Sequence, residues 1–200
     1  MQNQKKVSNL THQTYKINRI DFEKRNQHRG IVLWFVGLSG SGKSTIANGL
    51  QTKLFENGFN AIVLDGDNTR LGINKDLGFS DEDRNENIRR VAEISKLFVE
   101  SGHIVINAFI SPFENNRNLA KDIISDKDFL EIFIDSSISV CEKRDVKGLY
   151  KKARAGKINN FTGISSPFET PQNPDIKVKT EGQRPEDSIE YLFEQLKSKL

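Results

Sequence analysis

Cysteine is almost absent. The 200-residue chain has one, Cys141, so no internal disulfide can form and no zinc site can be built from cysteines alone. A lone thiol fits a reducing compartment. Long apolar runs are also missing. The longest, Ile31 to Leu38, is far short of the ~20 residues that a membrane helix needs. The opening stretch, MQNQKKVSNLTHQTYK, is polar and lacks the apolar core of a signal peptide. The reading is a soluble, cytoplasmic protein with no membrane partner. Charge of one sign is lacking too. Charged residues make up 28% of the chain, yet the net charge is only +3. No basic block interleaves with aromatics, which argues against a nucleic-acid partner. The small basic excess suits one or two small polyanions.

What is present fits one globular domain. Hydrophobic residues make up 36% of the chain, and a chain of this length should bury roughly 70% of its unfolded surface. Residues 1–30 are polar and poorly periodic, and read as an N-terminal arm with a short helix. The domain proper is expected over 31–200. IVLWFV (31–36), AIVL (61–64), IVINAFI (104–110), FLEIFI (129–134) and DIKVKT (175–180) read as strands. Helices are expected between them: one carrying Ile46, Ala47, Leu50 and Leu54 up to Gly58, and one from about Asp81 to Gly102. Others are expected from Pro112, through Cys141, and from Pro185. Strands alternating with helices imply an α/β fold with a parallel sheet flanked by helices. Residues 141–174 break the rhythm. Rich in Lys, Arg, Gly and Pro, they read as a basic lid.

After the first strand comes Gly37-Leu38-Ser39-Gly40-Ser41-Gly42-Lys43-Ser44-Thr45. It satisfies G-x-x-x-x-G-K-[ST], and its strand–loop–helix context is that of a P-loop. Glycines let backbone N–H groups wrap a phosphate, and the helix N-terminus adds positive charge. Lys43 would reach the β- and γ-phosphates, and the Ser44 hydroxyl would ligate Mg²⁺. ATP or GTP binding follows. A guanine-reading N-K-x-D is missing, because Asn74-Lys75-Asp76-Leu77 is off by one position. That leaves a small-molecule phosphotransferase, or a nucleotide-gated binding protein without turnover.

A kinase also needs a base, an acceptor site and a lid. Asp65 and Asp67, in LDGDNTR (64–70), end the second strand, at the edge where open α/β sheets bind ligands. On their own they are either a solvated Asp-Gly turn or a functional pair, one acid taking a proton and the other organising Mg²⁺ through water. Downstream, Ser80 with Asp83 resembles a capping box. Arg84 and Asn87 share a helical face and suit an anionic ligand. Phe79 is placed to stack on a base. Glu86 with Arg90 reads as a solvated i,i+4 pair.

With these motifs in view, the chain resembles the adenylylsulfate kinase (APS kinase) family. The resemblance lies in GLSGSGKST (37–45), LDGDNTRLGINKDLGFSDEDRNENIRR (64–90), AFISPF (108–113) and CEKRDVKGLYKKARAGKINNFTGISSPFE (141–169). With TYKINRIDFEKRNQHRG (14–30), it spans nearly the whole chain. It implies a P-loop NTPase fold and Mg²⁺-dependent transfer of the ATP γ-phosphate. The acceptor is the 3′-hydroxyl of adenosine 5′-phosphosulfate, in sulfate assimilation. It also implies a homodimer. Asp67 would lie near the 3′-hydroxyl. Arg70, Arg84 and Asn87 would hold the phosphosulfate and its sugar, with Ile110 among the substrate contacts. Phe79 and Phe161 would sandwich the substrate adenine. Arg144 would lie against the ATP adenine and Lys147 near the substrate. The alternative is another P-loop small-molecule kinase, shikimate- or nucleotide-kinase-like, since shikimate-type kinases also carry paired acids after the second strand.

Ser111 has two readings. Family members are commonly assigned a phosphoserine at this position. Ser111-Pro112-Phe113-Glu114 also reads as a helix start, with Ser at the N-cap, Pro at N1 and Glu at N3. The sequence departs from the family pattern in three places. Glu114 replaces the usual arginine, Phe168 a tyrosine and Ser165 a frequent aspartate.

Overall fold

The computed structural model describes residue 11 and residues 13–200. The segment read as lacking a signal-peptide core therefore lies mostly outside the described residues. Five strands form one parallel sheet: β1 (Ile31–Val36), β2 (Ala61–Asp65), β3 (Ile104–Ala108), β4 (Phe129–Asp135) and β5 (Ile176–Lys179). Their order is β2-β3-β1-β4-β5. The chain steps to one side of β1 and then to the other, so the order reverses at β1. The crevice at the C-terminal end of β1 is therefore where such a sheet takes a ligand.

Among the described residues eight α-helices accompany the sheet: α1 (Arg19–Asn26), α2 (Lys43–Glu56), α3 (Gly66–Leu71), α4 (Asp81–Glu100), α5 (Glu114–Ile124), α6 (Ile138–Arg144), α7 (Leu149–Arg154) and α8 (Pro185–Leu196). The continuous apolar run of β1 is explained by cover on both faces. Leu33 and Phe35 pack with Leu50 and Leu54 of α2 and Leu192 and Leu196 of α8. Val32, Trp34 and Val36 pack with Val91 of α4 and Ala120 of α5. All six β1 residues are buried, each side chain contributing about 1.5–3 kcal/mol. The α2–α8 contact is close at Gly49: a Cβ there would lie 2.2 Å from Ile189 Cδ1, so a larger residue would force that side chain to shift. At the sheet edges, β2 is half-buried and β5 alternates buried and exposed.

Several expectations change. The third strand stops at Ala108 rather than residue 110, because the chain turns there and Ser111 takes a left-handed φ of 44°. The following helix starts at Glu114, with Phe113 at its N-cap. Ser111 therefore does not cap it, and Glu114 completes no capping box. The helix-end role falls to the Glu169 carboxylate, which accepts the Glu114 N–H at 2.6 Å. Where an Asp-Gly turn was one reading, the chain forms the short helix α3. The 141–174 segment, expected to be a lid and called so below, contains a helix of its own, α7. The described part of the arm is not loose. Arg19 forms a two-bond fork with the buried Asp128, at 2.6 and 2.7 Å, and Arg29 joins the same carboxylate at 2.8 Å.

Candidate active site

The phosphate loop closes on itself. Lys43 Nζ donates to the carbonyls of Gly37 and Leu38, each at 2.8 Å. Burial pulls its ammonium pKa down to about 8. Gly40 and Gly42 have φ of 76° and 104°, and a Cβ on Gly40 would meet the Cys141 carbonyl at 2.9 Å. Cys141 itself is fully buried, and burial pushes its thiol up. The loop thus rests on α6. Ser39 and Ser41 are held from outside: Tyr150 Oη donates to the Ser39 carbonyl and Thr180 Oγ1 to the Ser41 carbonyl, at 2.9 and 2.8 Å. Arg144 donates to the Gly40 and Ser41 carbonyls at 3.3 Å and to the Thr180 carbonyl at 2.7 Å. Ser44 and Thr45 open α2 and are exposed.

The two acids divide. Asp65 is the N-cap of α3: its Oδ1 accepts the Asp67 N–H at 2.9 Å. Its Oδ2 accepts the Ser44 hydroxyl at 2.7 Å. A hydroxyl and a carboxylate oxygen side by side form a hard-oxygen pair, suited to a divalent cation that keeps its waters and takes phosphate ligands. Among the described residues no group of three or more His, Cys, Asp or Glu side chains is arranged for a metal. Asp67 sits in the first turn of α3, exposed, and pairs with Lys147 of the lid.

The acceptor-side residues are drawn together by α4 and the lid. Ser80 caps α4 by accepting the Asp83 N–H at 3.1 Å. One turn in, Arg84 donates to the Phe79 carbonyl at 3.1 Å, the Asn160 carbonyl at 2.6 Å and the Thr162 hydroxyl at 3.1 Å. One guanidinium therefore spans Phe79 and the residues on either side of Phe161. Phe79 is 65% exposed, whereas Phe161 is buried, its ring edge-on to Tyr150 at 4.9 Å. Arg70 lies 4.5 Å over the Phe79 ring and donates to the Leu77 and Gly78 carbonyls at 3.2 and 2.7 Å. Burial lowers the pKa of both arginines, and the charge of Arg84 lowers that of Arg70 further. Asn87 is buried, and its Oδ1 accepts from Asn74 Nδ2 at 3.0 Å. As expected, Glu86 pairs with Arg90, at 2.8 Å, and it pairs with Arg89 as well.

Ile110 and Ser111 form the turn beside the phosphate loop. The Ile110 carbonyl accepts the Gly37 N–H at 3.4 Å. Ser111 is 2% exposed, and its hydroxyl accepts the Trp34 indole N–H at 2.9 Å. Sequence reasoning missed Trp34, Asn74, Tyr150, Glu169 and Thr180 as supports of the site. Glu131, a charge inside the apolar run FLEIFI, was a visible signal that went unused.

Comparison with known proteins decides the family. The adenylylsulphate kinase family model matches residues 29–179. The chain belongs to the adenylylsulphate kinase family. It is 54% identical over 195 residues to the adenylyl-sulfate kinase of Clostridium acetobutylicum, covering 98% of this chain and 97% of that one. It is 48% identical over 192 residues to that of Staphylococcus haemolyticus, covering 96% of each. Among solved structures, it is similar to the Mycobacterium tuberculosis APS kinase in complex with AMPPNP and APS. There the TM-score is 0.81 and the identity 46%, over 84% of this chain and 98% of that one. Family membership makes the chain an ATP-dependent kinase on the P-loop kinase fold. No helix among the described residues is long and apolar enough to cross a membrane.

Proposed function

We propose that this chain transfers the ATP γ-phosphoryl group to the 3′-hydroxyl of adenosine 5′-phosphosulfate. The observation that carries the reading is the division of the two acids. Asp65 is committed to Ser44 beside the phosphate loop, while Asp67 is exposed one helical step away, facing the lid through Lys147. In the proposed step, Asp67 takes the proton of the acceptor hydroxyl as its oxygen bonds to the γ-phosphorus. The bond from that phosphorus to the β,γ-bridging oxygen breaks, and ADP leaves. Mg²⁺, held by Ser44 and by Asp65 through water, would neutralise charge on the phosphates when bound. Lys43 would trade its two loop carbonyls for phosphate oxygens. Arg70 and Arg84 would clamp the phosphosulfate, and Asn87 would hold the sugar. Phe79 and Phe161, both tied to Arg84, would flank the adenine. Arg144 would sit against the ATP base.

The transfer is direct in this reading. The burial of Ser111 and the bond that its hydroxyl accepts from Trp34 support this reading. Ser111→Ala should then retain turnover within about tenfold of the parent. The deciding experiment supplies Mg-ATP with adenosine 5′-phosphosulfate and, separately, with its 3′-deoxy analogue. A 3′-phosphorylated product is expected from the first and none from the second. Equal ADP release in both would defeat the reading.

A further inference from the structure

An ion pair between a buried arginine and a half-buried glutamate lies just behind the site and reaches it at one backbone carbonyl. Arg117, on α5, is 4% exposed. Its Nε lies 2.9 Å from Glu131 Oε1 on β4, and its Nη1 donates to the Ser111 carbonyl at 3.1 Å. We propose that Arg117 is a positioning residue for the acceptor side of the transfer, holding the Ile110–Ser111 turn through the Ser111 carbonyl.

The turn needs holding. Ser111 has φ of 44°, a left-handed conformation that a residue with a Cβ seldom takes unsupported. Successive residues of the turn are gripped from different parts of the molecule. Gly37 of the phosphate loop donates to the Ile110 carbonyl. Trp34 of the core donates to the Ser111 hydroxyl. The Glu169 N–H, at the end of the lid, donates to the Pro112 carbonyl at 2.8 Å. The turn is thus where phosphate loop, core and the 141–174 segment meet, and Arg117 supplies a charged group to its backbone.

Stability does not explain the pair. A buried ion pair is a weak source of net stability, and apolar groups of equal volume often do as well. Burial holds the Glu131 carboxyl above its usual range despite Arg117, so the arrangement carries a desolvation cost. What it supplies is a guanidinium whose Nη1 donates to the Ser111 carbonyl while its charge lies against Glu131, whose Oε1 accepts no hydrogen bond among the described residues. A lysine ammonium is a point charge on a flexible stem and cannot reproduce that planar placement. The charge of Glu131 holds the guanidinium, and the guanidinium holds the turn.

This inference rests on the transfer reading above, and the test separates the two. Parent, Arg117→Lys and Glu131→Gln full-length proteins are assayed with Mg-ATP and adenosine 5′-phosphosulfate, and folding is followed by circular dichroism and thermal melting. Arg117→Lys keeps the buried charge and so protects Glu131 from isolation. Expected for both variants is a rise of about fivefold or more in KM for adenosine 5′-phosphosulfate, with KM for ATP within about twofold of the parent. Unchanged KM for both substrates in folded variants would overturn the proposal. So would equal rises in both, or a fall in activity that only tracks the folded fraction. If neither variant folds, the pair is a determinant of the fold and the proposal fails. A parent that forms no 3′-phosphorylated product would instead overturn the transfer reading itself.

Discussion

The donor side and the acceptor side of this site are built in opposite ways. The phosphate loop is nine consecutive residues running from the end of β1 into the first turn of α2, and Lys43 bonds to carbonyls only five and six positions away. The acceptor side is gathered from α3, α4, the 109–113 turn and the lid. Its links, such as Arg84 to Thr162 and Lys147 to Asp67, cross 78 and 80 positions. A local device is fixed by backbone geometry and tolerates little change anywhere in its run. A gathered device depends on side chains meeting across the crevice. It can therefore lose one partner and keep part of its function.

That contrast can be tested by substitution. Lys43→Met should abolish most turnover, by about 10³-fold, since no other side chain replaces its charge on the transferring phosphates. Steady-state ADP release measures it, and a loss under tenfold would break the contrast on the donor side. Asp67→Ala should lower kcat by roughly 10²-fold or more while ATP binding survives. Asp65→Asn should instead raise the Mg²⁺ concentration needed for half-maximal rate. If the two variants exchange these behaviours, the assignment of base and metal organiser is reversed. Arg84→Ala removes one clamp while Arg70 remains, so KM for the acceptor should rise by about tenfold, the worth of one charge-assisted bond. It should also free the segment around Asn160 to cleavage in limited proteolysis.

A pH effect of similar size belongs to the donor side. Burial holds the Lys43 pKa at about 8 in the free protein, and a bound triphosphate favours the protonated form. Affinity for ATP should therefore be full below about pH 8 and fall above it, by roughly tenfold between pH 7 and 9. Calorimetric titration would detect this, and Lys43→Met should lack the dependence. The smallest effect on chemistry is expected far from both sides. Asp128→Ala strands Arg19 and Arg29 and should cost about 3 kcal/mol of stability, with kcat unchanged at a temperature where the variant is folded. Burial raises the Asp128 carboxyl pKa, but the hydrogen bond and charge of Arg19 outweigh this and hold it below the usual range. Its contribution is therefore present at neutral pH and lost as pH falls through that lowered pKa.

Much of this was legible beforehand for a physical reason. Each strand buried on both faces is a run of apolar residues, so β1 was read at its observed bounds. The cap of α4 is local as well, Ser80 reaching only to Asp83. The turn after β3 was misread because Ser-Pro-Phe-Glu satisfies the local rule for a helix start. The Ser111 hydroxyl instead meets the indole of Trp34, 77 positions away, and the α5 end is satisfied by Glu169. The helices α3 and α7 are six residues each, too short to show periodicity.

The sequence by itself determined the phosphate-loop motif, the alternating α/β order and the family, and it named the residues proposed here for the acceptor site. All of these rest on interactions within a few positions or on contiguous motifs. Only the tertiary structure decided which acid faces Ser44 and which faces the lid. It alone set Arg84 between Phe79 and Phe161, and brought Arg117 and Glu131 to Ser111. Those choices are made by groups that meet only after the sheet has formed, and spacing along the chain carries no record of them.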